Sequence, residues 1–374
     1  MRAGCVRGVS PDLRPCFARF TPVFRISCGP TRAAIARAPY NRASTARAAV
    51  PRAGEATISE GTAVTPDAGA LEASRSPAAA RPFLKWAGGK TQILEHLVAR
   101  APDRIDTYYE PFVGGGALFF RLAADPDRRP RHAVLNDLNH ELMAAFRAVR
   151  DDVEALIDRL GELERGYLGL DAAGRGECYY GVREEYRELV ADGGADDIEV
   201  ASRLIFLNKT CFNGLYRVNR RGQFNVPHGR YVRPRILDAA GLEAASAALA
   251  GVELRSTDFR EACAAAGPGD FVYFDPPFEP LTRTSSFTGY TEGGFGREDQ
   301  LRLKFCIDGL RRRGAPVLLS NSPHQWVIGL YEGSRYHIAH TPARRAINSR
   351  GNGRGPIDEL AITSYAPPSL PDAE

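Results

Sequence analysis

The segment "YYEPFVGGGALFF" at residues 108–120 determines how the rest of the chain is interpreted. Gly114, Gly115 and Gly116 stand between a strand-like apolar run and the start of a helix-like run. Glycines at such a junction permit a tight turn and let backbone N–H groups approach a ligand. The next strand-like run ends in "VLND", which places Asp137 where a doubly wound fold offers a carboxylate to ribose hydroxyls. The pattern also fits a purely structural turn, and it does not separate a dinucleotide from another adenosine cofactor.

Strand-like and helix-like segments alternate on both sides of this turn, which predicts an α/β fold. Strands are predicted at about 105–110, 132–136, 252–255, 271–275, 316–320 and 336–340. Helices are predicted at about 90–100, 115–124, 138–160, 177–191, 196–208 and 297–313. A polar insert over residues 151–250 separates the two strand-bearing halves, residues 81–150 and 251–366, and residues 367–374 form a tail.

Residues 1–80 are rich in Ala, Arg, Pro, Ser and Thr and lack apolar periodicity, which predicts a disordered extension. Residues 1–54 contain ten arginines and Asp12 as the single acid, a composition similar to that of an organellar transit peptide. A tail without function and a wrongly assigned start are the alternatives.

The formal net charge of +4 is unevenly distributed, because residues 1–80 hold 11 arginines against five acids while residues 81–374 carry a net charge of −2. A nucleic-acid surface in the folded part therefore requires a local concentration of positive charge. No run of about 18 apolar residues occurs, so no membrane span is expected. The seven cysteines show no C-x-x-C pair and no His at metal-ligand spacing, which predicts neither a zinc site nor a disulfide framework.

Residues 203–235 supply such a concentration, with eight basic residues and no acid. Positive charge of this density is typical of a surface that contacts a phosphate backbone. The aromatic residues interleaved with it could stack on bases or wedge between them. Alternatively, the aromatic residues belong to the core and the arginines form a solvated face. The aromatic residues are Phe206, Phe212, Tyr216, Phe224 and Tyr231.

The stretch "FVYFDPPFE" at residues 271–279 ends a predicted strand with a carboxylate, two prolines and an aromatic ring. At the carboxyl end of a sheet strand, Asp275 would project into the crevice where ligands bind in open α/β sheets. The prolines fix the backbone and hence the carbonyl of Pro276. Two acceptors suit an exocyclic amino group, and Phe278 offers a face for a planar base. A strand that simply stops at a proline turn is the alternative.

This arrangement addresses a chemical difficulty, because the lone pair of an aromatic amine is delocalised into its ring. Two acceptors in roughly tetrahedral directions would draw the nitrogen toward sp3 geometry and localise that lone pair for attack. Orientation and electrostatics would then supply most of the catalysis. Asp275 need not be a strong base, because the amine becomes acidic only after it is alkylated.

Several motifs in one order, over about residues 82–366, closely resemble the Dam family of DNA adenine methyltransferases. They are "KWAGGK" (85–90), "EPFVGGG" (110–116), "LNDLN" (135–139), "FNGLYRVNRRGQFNVPHGRY" (212–231), "DFVYFDPPF" (270–278) and "RRAINSRGNGRGPIDELAIT" (344–363). The first is not a phosphate-binding loop, since Leu84 occupies the position of the leading glycine. The resemblance implies a Rossmann-like methyltransferase sheet with an inserted, mostly helical target-recognition domain at 151–250. It also implies S-adenosylmethionine as cofactor, double-stranded DNA as substrate, and a monomer in the bacterial cytoplasm.

The resemblance further implies roles for individual residues. Those expected to bind the cofactor are Trp86, Lys90, Phe112, Gly114, Gly116, Asp137, Asp258, Phe259 and Asp275. The catalytic motif is Asp275, Pro276, Pro277 and Phe278, where Phe278 replaces the tyrosine usual in the family. Those expected to bind DNA are Phe212, Asn213, Leu215, Arg217, Arg230 and Tyr231, with Arg217 the expected guanine contact. The segment 287–296 resembles a loop that closes over a flipped adenine.

Three alternatives stay open from the sequence: a DNA-binding relative without catalysis, an RNA adenine methyltransferase and a nicotinamide oxidoreductase. The oxidoreductase would leave both the basic run and the Asp-Pro-Pro-Phe motif unexplained. The recognised bases stay open too, with GATC as the first expectation, and so does the existence of a partner restriction enzyme.

Overall fold

A computed structural model describes residues 79–279, 295–333, 335–344 and 356–368, without the side chains of 342–344 and 356–357. The predicted disordered extension lies outside these residues except for positions 79 and 80. The predicted loop at 287–296 lies outside them except for Phe295 and Gly296.

Seven strands in the described part of the chain form one sheet, in the order β3-β2-β1-β4-β5-β7-β6. The strands are β1 (Thr107–Glu110), β2 (His132–Asn136), β3 (Glu253–Arg255), β4 (Phe271–Phe274), β5 (Val317–Asn321), β6 (His337–Arg344) and β7 (Pro356–Thr363). Strands β1 to β5 are parallel, whereas β7 is antiparallel to both β5 and β6. The strand order reverses between β1 and β4, and ligands of such sheets bind at the carboxyl ends of the strands that flank this point.

Ten α-helices accompany the sheet within the same residues. They are α1 (Leu94–Val98), α2 (Ala117–Ala123), α3 (His140–Asp151), α4 (Val153–Leu168), α5 (Ala172–Asp192), α6 (Asp197–Thr210), α7 (Ala239–Leu249), α8 (Phe259–Ala262), α9 (Arg297–Arg312) and α10 (Gln325–Tyr331). Helices α4 to α7 all lie between β2 and β3, which are neighbours in the sheet. The predicted α/β fold is therefore confirmed, and it is a Rossmann-like sheet.

The core consists of two apolar clusters, one on each face of the sheet. Strand β4 shows the division directly, because Phe271 and Tyr273 belong to one cluster and Val272 and Phe274 to the other. Successive side chains of a strand point to opposite faces, so a strand covered on both sides is apolar throughout. Helices α1 to α7 contribute to the first cluster and α8 to α10 to the second.

Several elements differ from the sequence prediction. The single helix predicted at 138–160 is wrong, because Asp152 ends α3 and caps α4 by accepting a hydrogen bond from the N–H of Ala155. Helix α1 begins at Leu94 and is shorter than the predicted 90–100. Helices α7, α8 and α10 and strand β7 were not predicted.

Candidate functional site

A glycine turn follows β1 at the point where the strand order reverses. Gly114 has a φ of 47° and Gly116 a φ of 69°, both in the left-handed region that favours glycine. A Cβ at Gly114 would lie 3.0 Å from Cδ1 of Trp86, and one at Gly116 would lie 3.3 Å from the Phe120 ring. The turn therefore requires glycine for its backbone conformation and for the close approach of Trp86.

Asp137 joins the end of β2 to this turn. Its carboxylate accepts hydrogen bonds from the N–H of Gly114 at 3.1 Å and from the N–H of Asn139 at 3.0 Å. Burial raises the pKa of Asp137, and the two N–H donors oppose that rise. The predicted meeting of the glycine turn and the acid is thus observed, and the carboxylate stiffens the turn.

Asn136, which the sequence reasoning did not select, holds the neighbouring strand ends together. Its side chain donates to the carbonyls of Pro111 at 2.9 Å and Thr257 at 3.1 Å, and it accepts from the N–H of Thr257 at 2.8 Å. A buried amide with hydrogen bonds to two partner residues fixes the ends of β1, β2 and β3 relative to one another. Its position in "VLND", the last residue of a buried strand, is the signal that could have identified it.

Aromatic rings line the crevice beside the turn. Phe112 stacks on Phe259 with centroids 5.5 Å apart, and Phe295 meets Phe112 edge-on at 5.6 Å. Trp86 stacks on Tyr216 at 4.8 Å. These flat apolar surfaces suit a planar ligand.

Asp258 lies at the start of α8, next to Phe259. Its side chain caps the helix by accepting from the N–H of Arg260, and it forms ion pairs with Arg260 at 2.9 Å and Arg302 at 2.6 Å. Two guanidinium groups thus share the carboxylate that the family resemblance assigns to the cofactor.

Asp275 follows β4 and forms a buried ion pair with Lys90, whose Nζ lies 2.8 Å from Oδ1. The same Nζ lies 3.5 Å from Oε2 of Glu359 and donates to the carbonyl of Gly88 at 2.9 Å. Burial raises the pKa of Asp275 to about 6, while the Lys90 ammonium opposes this shift. Glu359 was missed in the sequence, although an acid directly before the apolar run "LAI" is an indication.

Glu110, the last residue of β1, is a second buried carboxyl near Asp275. The hydroxyl of Tyr108 donates to its Oε2 at 2.9 Å. Burial raises the pKa of Glu110 well above its ordinary value. The crevice therefore combines one buried cation with several carboxyl groups.

The loop Pro276–Glu279 is fastened to the end of β5. The side chain of Gln300 donates to the carbonyl of Pro277 at 3.1 Å and accepts from Asn321 at 3.0 Å. The hydroxyl of Ser322 donates to the carbonyl of Glu279 at 2.9 Å. Gln300 and Asn321 are buried and were not selected from the sequence, because their partners come from distant segments.

The ring of Phe278 lies beneath the same lysine, with Nζ of Lys90 4.7 Å from the ring centroid. An ammonium over an aromatic face is attracted by the ring quadrupole. Lys90 thus contacts both ends of the Asp-Pro-Pro-Phe motif and orients Asp275 and Phe278 together.

The predicted DNA-contacting residues meet on the surface after α6. Phe212 is 52% exposed and Tyr231 is 40% exposed, and the hydroxyl of Tyr231 accepts from the N–H of Asn213 at 3.0 Å. Asn213 has a φ of 58° and Arg230 one of 55°, both left-handed. Arrangements of this kind in residues other than glycine are strained and concentrate at functional sites.

The basic run at 203–235 is less extensive on the surface than the sequence suggested. Arg203 is buried and paired with Glu185 and Glu199, and Arg235 pairs with Asp238. Phe206, Tyr216 and Phe224 are core residues, so the alternative reading is correct for them. Five exposed arginines of this run form no ion pair within the described residues: Arg217, Arg220, Arg221, Arg230 and Arg233.

Arg217 and Leu215 precede the hairpin formed by the Val218–Phe224 bridge. The guanidinium of Arg217 donates to Oδ1 of Asn225 at 2.7 Å and to the carbonyl of Asn225 at 3.2 Å. These two hydrogen bonds hold the guanidinium of an exposed arginine at the surface.

Asn208, also missed in the sequence, links this surface to the crevice. Its side chain accepts from the N–H of Lys85 at 2.9 Å and donates to the carbonyls of Lys85 at 2.8 Å and Gly214 at 3.1 Å. Because Lys85 precedes Trp86, one buried amide fastens the segment that lines the crevice to the segment that carries Phe212.

Within the described residues, no group of three or more His, Cys, Asp or Glu side chains is arranged to hold a metal ion. None of the helices in those ranges combines the length and the apolar character needed to cross a bilayer.

Comparisons with known proteins agree with this geometry. The model of the family described as D12 class N6 adenine-specific DNA methyltransferase matches residues 86–347. The type II methyltransferase M.MjaIII of Methanocaldococcus jannaschii is 43% identical over 292 residues, which cover 76% of this chain and 99% of the relative. The DNA adenine methylase of Escherichia coli K12 is 33% identical over 287 residues, covering 77% and 96%. The resemblance inferred from the sequence motifs is confirmed, and the chain belongs to the D12 class of N6 adenine-specific DNA methyltransferases.

Proposed function

We propose that this chain methylates the exocyclic N6 amine of adenine in double-stranded DNA, using S-adenosylmethionine and the crevice between β1 and β4. The observation that carries the proposal is the position of Asp275. This carboxylate lies at the end of β4, beside the glycine turn, on a loop held by Gln300 and Ser322. It therefore combines an acceptor for an amine with an adjoining place for a methyl donor.

The residues present fit S-adenosylmethionine. Any side chain at Gly114 would meet Trp86, so the glycine lets this aromatic ring lie against the turn. Rings of Phe112 and Phe259 offer a surface for adenine, and Asp137 offers a carboxylate for ribose. The bound cofactor would supply an electrophilic methyl group on a cationic sulfonium, a charge that suits a crevice rich in carboxyl groups. Further cofactor contacts are proposed for Trp86, Lys90, Gly116, Asp258 and Asp275.

Asp275 and the carbonyl of Pro276 would accept the two N–H groups of the adenine amine. Holding both N–H groups localises the nitrogen lone pair and directs it along the crevice, so orientation contributes most of the rate. With a pKa of about 6, Asp275 is mostly ionised at neutral pH and can take the proton that the amine loses after methylation. The face of Phe278 would hold the planar base, and Pro277 would keep the loop rigid.

The inserted region 151–250 would form the target-recognition domain, between the catalytic parts 81–150 and 251–366. Phe212 is exposed and next to the strained Asn213, so it is suited to enter the duplex where the adenine leaves. Unstacking a base costs a few kcal/mol, and an inserted ring offsets part of that cost. Arg217 would pair with guanine and Arg230 with phosphate, while Leu215 and Tyr231 would line the same surface.

GATC is the first site to test, and a monomer acting in the bacterial cytoplasm is part of the proposal. Sedimentation of the purified protein with and without duplex DNA would test the monomer. A stable dimer without DNA would contradict it.

The decisive experiment is transfer of labelled methyl from S-adenosylmethionine to duplex DNA and, in parallel, to RNA. Transfer to DNA adenine is expected, whereas transfer to RNA alone would favour an RNA methyltransferase. DNA binding without any transfer would favour a relative that has lost catalysis. Asp275→Ala should abolish transfer while calorimetry still detects cofactor binding, and Asp358→Ala, which removes an exposed carboxylate on β7, serves as the matched control.

A further inference from the structure

Glu359 reaches the crevice from a strand that approaches from the far side of the sheet. Phe274 of β4 pairs with Leu319 of β5, which pairs with Ile362 of β7. Because β7 runs antiparallel, Glu359 lies beyond Ile362 in the direction in which Asp275 follows Phe274. Glu359 and Ala361 lie on the same face of β7, because alternate residues of a strand share a face. Ala361 belongs to the same apolar cluster as Tyr273, so this is the face that carries Asp275.

The contacts of Glu359 are unusual for a stabilising ion pair. Its Oε2 is buried and forms no hydrogen bond within the described residues, and Nζ of Lys90 lies 3.5 Å away. A buried carboxylate oxygen without a hydrogen bond is costly, and an ammonium 3.5 Å away offsets this cost in part. The same ammonium is 2.8 Å from Asp275, so one cation serves two carboxylates.

We propose that Glu359 is a positioning residue for methyl transfer, which acts through Lys90 by sharing its ammonium and keeping Asp275 available to the adenine amine. This inference rests on the proposed function. Without the charge of Glu359, the ammonium would pair with Asp275 alone, and the lone pairs that should accept from adenine would be directed to Nζ. Glu359 therefore lets Lys90 orient Asp275 and prevents Lys90 from occupying the lone pairs that should accept from the substrate.

The directions in which Glu359 and Lys90 shift the pKa of Asp275 agree with this role. The negative charge of Glu359 raises the pKa of Asp275, whereas Lys90 lowers it, both against the larger effect of burial. Among the described residues, the other titratable groups that interact with Asp275 are Tyr108, Glu110 and Tyr273. Glu359→Gln removes one charge and leaves these three side chains in place.

Glu359→Gln keeps the size of the side chain and removes its charge. We expect kcat near neutral pH to fall by about tenfold, with the KM for S-adenosylmethionine changed less than about threefold. The acid limb of the kcat profile should move to lower pH, because the like charge that raised the pKa of Asp275 is absent. A merely structural role would lower kcat equally at every pH. Asp358→Asn, the exposed neighbour on β7, should leave both kcat and the limb unchanged.

A double-variant cycle tests whether Glu359 acts through Lys90. In the Lys90→Met background, Glu359→Gln should reduce the remaining kcat by less than about twofold, because its partner is already gone. Multiplicative losses in the double variant would show independent roles and overturn the inference.

Carboxyl-carbon NMR of the cofactor-free protein gives a readout that does not require turnover. The Asp275 signal, assigned with Asp275→Asn, should titrate at lower pH in Glu359→Gln than in the wild type. If Glu359→Gln does not fold, the pH profile of kcat and the Asp275 titration are measured on Glu359→Asp. This variant keeps the negative charge, so both should stay like those of the wild type. Absence of transfer by the wild-type protein would refute the proposed function. An active wild type whose profile and Asp275 titration match those of Glu359→Gln would refute this inference alone.

Discussion

Replacing Asp275 by asparagine should change how the stability of the protein depends on pH. The pKa of Asp275 is about 6 in the folded protein against an ordinary value of 3.8, chiefly because of burial. A folded pKa above the unfolded one means that ionisation costs the folded state free energy. The stability present below about pH 4 is therefore lost as the pH rises through about 6.

The size of this effect follows from the shift. A difference of about two pKa units corresponds to about 3 kcal/mol, and the side chain is only 19% exposed, so solvent screening removes little of it. Part of this change in the free energy of unfolding occurs at a pH too low for a practical unfolding measurement. Between about pH 4.5 and pH 7.5 the expected change is about 2 kcal/mol.

Urea unfolding of the wild type and of Asp275→Asn at both pH values measures this quantity. The pH dependence of groups that do not interact with Asp275 is common to the two proteins and cancels in their difference. The free energy of unfolding of Asp275→Asn, relative to the wild type, should increase by about 2 kcal/mol from the lower to the higher pH. Asp358→Asn removes an exposed carboxylate nearby, and its difference should stay within about 0.5 kcal/mol.

A difference between Asp275→Asn and the wild type that is the same at both pH values would refute the reasoning. It would mean that Lys90 compensates the burial of Asp275 fully. The carboxylate would then lack the raised pKa that suits it to take a proton from the methylated amine.

Three further predictions concern the proposed DNA-recognition surface, helix α4 and the ring of Phe278. Gly229→Ala would place a Cβ 2.6 Å from the Tyr231 ring and 2.7 Å from a backbone carbonyl, so duplex DNA affinity should fall by at least about tenfold while calorimetric cofactor affinity is retained. Gly166→Ala in α4 meets nothing within 4 Å and should raise the free energy of unfolding by about 0.5–1 kcal/mol in urea titrations, with both affinities unchanged. Phe278→Ala should reduce kcat/KM by about 10- to 100-fold, whereas Phe278→Tyr should change it by less than about tenfold, since a hydroxyl adds at most one hydrogen bond. Equal losses in the two Phe278 variants, or a Gly229→Ala protein with full DNA affinity, would contradict these assignments.

The sequence was sufficient for the part of the site that depends on strand ends and local turns. Asp275 could be placed because an apolar run of strand length stops at it, and parallel strands bring their carboxyl ends to one edge. Gly114 and Asp137 could be associated because two successive strands of such a sheet are neighbours, and the observed hydrogen bond joins them.

The sequence was insufficient where the partner comes from a distant segment. Glu359 lies on an antiparallel strand whose pairing with β5 is not encoded locally, so its proximity to Lys90 could not be read from spacing. The burial of Arg203 depends partly on Glu185 of another helix. Its pairing with Glu199, four residues earlier on α6, follows helical periodicity and could have been anticipated.

The ion pairs of Lys90 join residues 90, 275 and 359, which lie near the two ends and in the interior of the folded region. Contacts between such remote positions close large loops, and this slows the corresponding folding step. Chains are synthesised from the amino terminus, and β7 is the last of the seven described strands to emerge from the ribosome. A partly synthesised chain can thus expose its arginine-rich surface before Lys90 has both of its carboxylate partners. We expect that ability to bind DNA precedes ability to modify it during synthesis.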